Sequence, residues 1–206
     1  QLTIGDVNGD GKVEIIVPNY SGVAVFTDSG SFIDSISTKE IISSIPVLHD
    51  ITGDNILDII VPDDEGYLHA YSMVGNNLTE LDGFPFWLGQ RTRSGVLVLD
   101  SLIYALSGSG KLFLITPHGK VIRSILPENL TFTGSSPIAS DIDGDGNKEI
   151  LVVQGTGDIY AVNSQCTSIV WQRKVPDSTY WYAWLNTSQP ALADINKDGL
   201  CELIFA

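Results

Sequence analysis

The sequence predicts an all-β chain built from repeats of one four-stranded antiparallel unit. Three observations carry this reading. Short apolar runs alternate at a period of two, Gly, Asn, Asp and Pro punctuate them, and one acidic signature of nine residues recurs along the chain. A composition of 43 % hydrophobic and 17 % charged residues over 206 positions belongs to a packed globular chain and excludes intrinsic disorder. No apolar run approaches the ~18 residues of a spanning helix, so direct membrane insertion is not expected.

Each repeat parses in the same order. An apolar strand A ends at an Asp, the acidic loop follows, and strand B leaves it, as in Glu14-Ile-Ile-Val-Pro18. Strand C follows a Gly turn and reads Gly22–Thr27, Gly66–Tyr71, Lys111–Ile115 and Gly157–Val162. A polar turn then leads to strand D, as in Ser31–Ile36. Nothing sustains a helical period; Lys39–Ser43 makes at most one turn.

The acidic loops are Asp6-Val-Asn8-Gly-Asp10-Gly11-Lys12-Val-Glu14, Asp50-Ile-Thr52-Gly-Asp54-Asn55-Ile56-Leu-Asp58, Asp141-Ile-Asp143-Gly-Asp145-Gly146-Asn147-Lys-Glu149 and Asp194-Ile-Asn196-Lys-Asp198-Gly199-Leu200-Cys-Glu202. They hold 13 of the 25 acids, so half the negative charge sits in four short loops of a chain with net charge −14. Four divalent cations would relieve that repulsion and bring the net charge to about −6. Oxygen donors at positions 1, 3, 5 and 9, with a main-chain carbonyl at position 7, resemble the first half of an EF-hand loop and suit a hard ion such as Ca2+. Position 12 carries no bidentate Glu, however, and each loop feeds a strand rather than a helix. Asp, Asn and Gly also make plain hairpin turns, but that reading weakens sharply for four copies in register.

First-Asp spacings are 44, 91 and 53 residues, and the double interval conceals a worn copy at Asp100, where the loop shrinks to almost nothing before Ile103. That copy is expected to hold no metal. The mean repeat of 47 residues fits a β-propeller of four-stranded antiparallel blades, with about four and a half blades present in residues 1–206 and repeats beginning near Asp6, Asp50, Asp100, Asp141 and Asp194. Half a blade would leave a bare sheet edge, so further blades or domains of the same longer chain are expected.

Aspartate loop, apolar strand and Gly-aromatic strand recur together over the whole chain, which resembles the FG-GAP, or VCBS-type, repeats of calcium-binding β-propellers, including the head of integrin α chains. The resemblance implies up to four Ca2+ sites on one face. Their donors would be Asp6, Asn8, Asp10, Lys12 (carbonyl) and Glu14; Asp50, Thr52, Asp54, Ile56 (carbonyl) and Asp58; Asp141, Asp143, Asp145, Asn147 (carbonyl) and Glu149; and Asp194, Asn196, Asp198, Leu200 (carbonyl) and Glu202. Thr52 and Asn55 make the 50–58 site the weakest expected.

Loops of this kind bind usefully at millimolar calcium, which implies an extracellular, secreted or cell-surface setting. Three sequons, at Asn77, Asn129 and Asn186, agree with it as glycosylation candidates. Cys166 and Cys201 leave both a disulfide and two buried thiols open. Strand parity puts the A–B and C–D turns on one face and the B–C and D–A connections on the other. Aromatic and basic residues gather in two D–A segments: Trp87, Arg91 and Arg93, then Tyr180, Trp181 and Trp184. The same aromatics could equally fill gaps between blades. The expected function is an adhesion or interaction module that binds a cell-surface protein or carbohydrate on the face opposite the calcium loops. The alternative is the propeller of a secreted carbohydrate-active enzyme of the polysaccharide-lyase kind, or a lectin. His49, His69 and His118 stand at an A-strand end, within strand C and in a C–D turn, and no nucleophile or zinc motif is present, so no catalytic residue is assigned. The charge of −14 argues against nucleic acid as a partner.

Overall fold

A computed structural model describes residues 2–126, 135–154, 157–174 and 190–204. All regular structure in these residues is β. The first sheet is β1 (Thr3–Gly5), β2 (Glu14–Asn19), β3 (Gly22–Phe26) and β4 (Phe32–Ser37), and the second β5 (Val47–His49), β6 (Asp58–Pro62), β7 (Tyr67–Val74) and β8 (Asn77–Glu80), extended by β9 (Phe86–Trp87). A third sheet follows as β10 (Val96–Leu99), β11 (Leu102–Leu106), β12 (Leu112–Ile115) and β13 (Val121–Ile125). The fourth is β14 (Ile138–Ser140), β15 (Glu149–Val153), β16 (Asp158–Asn163) and β17 (Ile169–Lys174). A two-stranded sheet, β18 (Ala191–Ala193) and β19 (Glu202–Ile204), comes last. Strand order follows chain order and every pairing is antiparallel, the blade pattern expected from the sequence.

The core lies between consecutive sheets, which explains the uninterrupted apolar runs of the B strands. In β6, Ile59 and Val61 pack with Ile16, Val23 and Val25 of the first sheet, while Ile60 between them packs with Val96, Ile103 and Ala105 of the third. Adjacent residues of a strand point to opposite faces, so a strand buried on both faces must be apolar at every position. Ile59, Ile60 and Val61 are all fully buried, and trimming either Ile to Ala costs about 2–5 kcal/mol.

One element departs from the expected D–A connection. Phe86 and Trp87 pair with Leu68 and Tyr67, so they resume the edge of β7 after β8 ends. The interruption carries Gly83, at φ +92°, and the cis Phe84–Pro85 bond; proline offers no N–H to a ladder. Among the described residues no helix is long and apolar enough to cross a membrane.

Candidate metal loops

Register positions the loops. In each hairpin the ninth-position acid pairs with the residue just before the first Asp: Gly5 with Glu14, His49 with Asp58, Ser140 with Glu149, and Ala193 with Glu202. In the third sheet Leu99 pairs with Leu102, and Asp100 and Ser101, at φ +50° and +59°, make a two-residue turn. An apolar Leu102 stands where the sister blades carry an acid.

The four long loops share one hydrogen-bond pattern. The first Asp accepts the N–H groups of positions 4 and 6: Asp6 from Gly9 and Gly11 at 2.7 and 2.9 Å, Asp50 from Gly53 and Asn55 at 2.6 and 2.8 Å, Asp141 from Gly144 and Gly146 at 2.7 and 2.9 Å, and Asp194 from Lys197 and Gly199 at 2.6 and 2.9 Å. Position 5 accepts the N–H of position 7, as Asp145 does from Asn147 at 2.7 Å. The ninth-position carboxylate accepts the N–H of position 2, at 3.1 Å for Val7, 2.9 Å for Ile51, 3.1 Å for Ile142 and 2.8 Å for Ile195. Backbone donors thus curl each loop around its own acids.

Two features of this curl lie outside the 1, 3, 5, 9 reading. Position 4 is left-handed in every loop, at φ +75° for Gly9, +82° for Gly53, +78° for Gly144 and +66° for Lys197, as is position 6. Position 2 is apolar throughout, and in the first two loops it plugs the core, Val7 and Ile51 being buried.

Among the described residues, the carboxylates of Asp141, Asp143 and Glu149 form a group whose oxygens all lie within 4.8 Å of one another. The other loops carry Asn8, Thr52 or Asn196 at position 3 and so bring fewer charges together. Asp145 stands outside that tight group. Glu149 and Glu14 are buried, and burial first, then the neighbouring aspartates, raise both carboxyls above the usual range against the pull of their backbone donors. Burial presses the same way on Asp50, but its backbone donors outweigh it and hold that carboxyl low. Asp58 supplies a test of whether a cation fits. It is fully buried; its Oδ2 accepts from Ile51 and Thr52 at 2.9 and 3.0 Å, while its Oδ1 has no partner. A buried carboxylate oxygen facing no donor is what a hard cation would complete.

The other expected site residues separate. Trp87 is exposed on β9. Arg91 pairs with Glu65 at 2.9 Å and Arg93 with Asp64 at 3.6 Å, both on the β6–β7 turn. Asn77 is exposed at the start of β8. Tyr180, Trp181, Trp184, Asn129 and Asn186 lie outside the described residues. Cys166 and Cys201 are free thiols, and burial pushes Cys166 up to about 11.

Residues 6–61 match a family model described as an FG-GAP-like repeat, a stretch running from the first acidic loop through β6. No curated protein matches the chain. Among solved structures, BamB from Moraxella catarrhalis is similar at 14 % identity and a TM-score of 0.64, over 94 % of this chain and 52 % of that one. A europium-containing methanol dehydrogenase is similar at 13 % and 0.59, over 84 % and 41 %, and BBS1N in complex with ARL6DN at 9 % and 0.58, over 85 % and 56 %. The chain spans about half the length of these structures, and such identities speak for the fold alone.

Proposed function

We propose, for a β-propeller that carries an FG-GAP-like repeat, that the chain is a calcium-stabilised extracellular interaction module. Calcium, when bound, supplies charge neutralisation and ties the β1–β2, β5–β6, β14–β15 and β18–β19 hairpins closed. The residues that would hold it are the donors at positions 1, 3, 5 and 9 of each loop and the carbonyls of Lys12, Ile56, Asn147 and Leu200. The observation that carries this reading is the convergence of Asp141, Asp143 and Glu149 within 4.8 Å, in a loop whose hydrogen bonds repeat in three sister loops. A need for millimolar calcium would suit a module outside the cell or on its surface.

The opposite face, built from the B–C turns and D–A connections, is the recognition face for a cell-surface protein or carbohydrate. Arg91, Arg93 and Trp87 lie there, the two arginines well exposed beside Glu65 and Asp64. Exposed arginines and an exposed aromatic on one face are residue types that make selective contacts.

The test joins thermal melts with and without a calcium chelator to glycan-array and surface-protein binding in calcium. Chelation should lower the melting temperature markedly, and Arg91→Ala with Trp87→Ala should weaken partner binding while leaving that temperature within a few degrees. Melting unchanged by chelator, with no metal found in the untreated protein, would refute the calcium reading. Binding that survives both substitutions would refute the choice of face.

A further inference from the structure

The second sheet differs from its sisters at three positions that meet in space. His69 lies on β7 opposite Val61, and the matching places in the other sheets, set by register, hold Ala24, Phe113 and Tyr160. Glu80 faces Tyr71 where the sister sheets have Phe32, Val121 and Ile169. Asp63 opens the β6–β7 turn where they have Asn19, Ser107 and Gln154. Three neutral or apolar positions have thus become an ionisable triad. His69 Nδ1 lies 2.8 Å from Glu80 Oε1 and its Nε2 3.2 Å from Asp63 Oδ2, while its ring stacks on Tyr71 at 5.7 Å. Asp63 is 2 % exposed and His69 7 %. Burying such groups is costly, and three sister blades close without them, so the blade itself does not require the triad.

The triad forms one wall of a cleft of about 500 Å³ between the first two blades. Ile36, the 37–40 connection, Tyr67 and Pro85 line it as well. The cleft involves a D–A connection and a B–C turn, hence the face opposite the acidic loops. Its chemistry is asymmetric. Both ring nitrogens of His69 are engaged by carboxylates, so the imidazole is held as a cation and has no free nitrogen to act as a base. Glu80 keeps Oε2 without a hydrogen bond and is 30 % exposed on the side chain. Glu65 is already paired with Arg91, and Lys39 offsets Glu40. One formal negative charge is left over in a cleft that the half-exposed Tyr67 also lines.

We infer that this cleft binds a compact basic group, an alkylammonium or guanidinium such as ends a lysine or arginine side chain, with Glu80 as its counter-ion and Tyr67 as its aromatic wall. The doubly bonded His69 is a positioning residue that fixes Glu80. The inference deepens the proposed recognition face and rests on that reading for the choice of face alone.

The test is calorimetric or NMR titration of the calcium-loaded protein with Nα-acetyl-lysine and Nα-acetyl-arginine methylamides, against the neutral norleucine counterpart and a panel of neutral monosaccharides. The basic probes should bind in preference to the neutral ones. Glu80→Gln and, separately, Tyr67→Ala should each weaken them about tenfold, and the exposed position of Tyr67 keeps the second variant folded. His69→Gln should weaken binding as well, and chemical-shift changes should centre on Tyr67 and Glu80. Equal binding of norleucine, preference for a sugar, absence of binding, or indifference to both Glu80→Gln and Tyr67→Ala would overturn the assignment. If chelation still lowered the melting temperature in that event, the calcium reading would stand while this one fell.

Discussion

Replacing Asp58 by Asn separates a cation from every other explanation of the loop chemistry, because only a bound cation makes the gap between the two proteins depend on calcium. Asp58 is fully buried, with Oδ2 on two backbone N–H groups and Oδ1 on none. Asparagine keeps a carbonyl oxygen for Ile51 and Thr52 but puts an NH2 where a calcium ion would need an oxygen. Without metal, the unsatisfied charged oxygen of the wild type costs about 1–3 kcal/mol, and Asp58→Asn should be neutral or stabilising. With calcium at 100 times its Kd, the wild type gains about 2.7 kcal/mol that the variant forgoes in large part. At roughly 2–4 °C per kcal/mol for a domain of this size, calcium should raise the melting temperature of wild type about 5–10 °C more than that of the variant. In excess chelator the variant should melt level with wild type or above it. Calorimetric melts of both proteins in both conditions measure that difference. An equal gap with and without calcium would mean that water or protein satisfies Oδ1, and the argument from this residue would fail.

The remaining predictions use the repeats as internal controls. Lys197→Gly should stabilise the protein by about 0.5–1 kcal/mol in denaturant melts, because Lys197 sits at φ +66° where the sister loops have glycine. Tyr104→Phe should cost about 1 kcal/mol in the same assay, since the buried hydroxyl donates to the Ser164 carbonyl at 2.7 Å and loses its proton only near pH 12, held up by burial first. For His69, burial alone would lower the imidazole, but the bonds to Asp63 and Glu80 prevail and raise it above its ordinary value of 6.5. A raised folded-state value means a contribution fully present below pH 6.5 and lost as pH climbs through it. The stability advantage of wild type over His69→Gln should therefore shrink with rising pH, and an advantage that grew would reverse the assignment.

Blades and loops were legible because their signals are local. Apolar runs such as Ile59-Ile60-Val61 and the nine-residue acidic spacing act within one hairpin, where register and turn chemistry suffice. The shrunken loop at Asp100 was legible for the same reason. The Asp63–His69–Glu80 triad was not, because its members stand six and eleven residues apart on a turn and two strands, and strand pairing alone brings them together. Lys197 hid the left-handed fourth position, since a long side chain masks what Gly9, Gly53 and Gly144 share. The β9 extension was hidden by the Gly83–Pro85 interruption, whose turn residues read as a connection.

Anomalous diffraction from crystals grown in millimolar calcium reads metal occupancy loop by loop. The four-acid loop at 141–149 should carry the strongest peak, 6–14 and 194–202 intermediate ones and 50–58 the weakest, with none at the Asp100–Ser101 turn. An empty 141–149 loop, or an ordered ion at Asp100, would contradict the account.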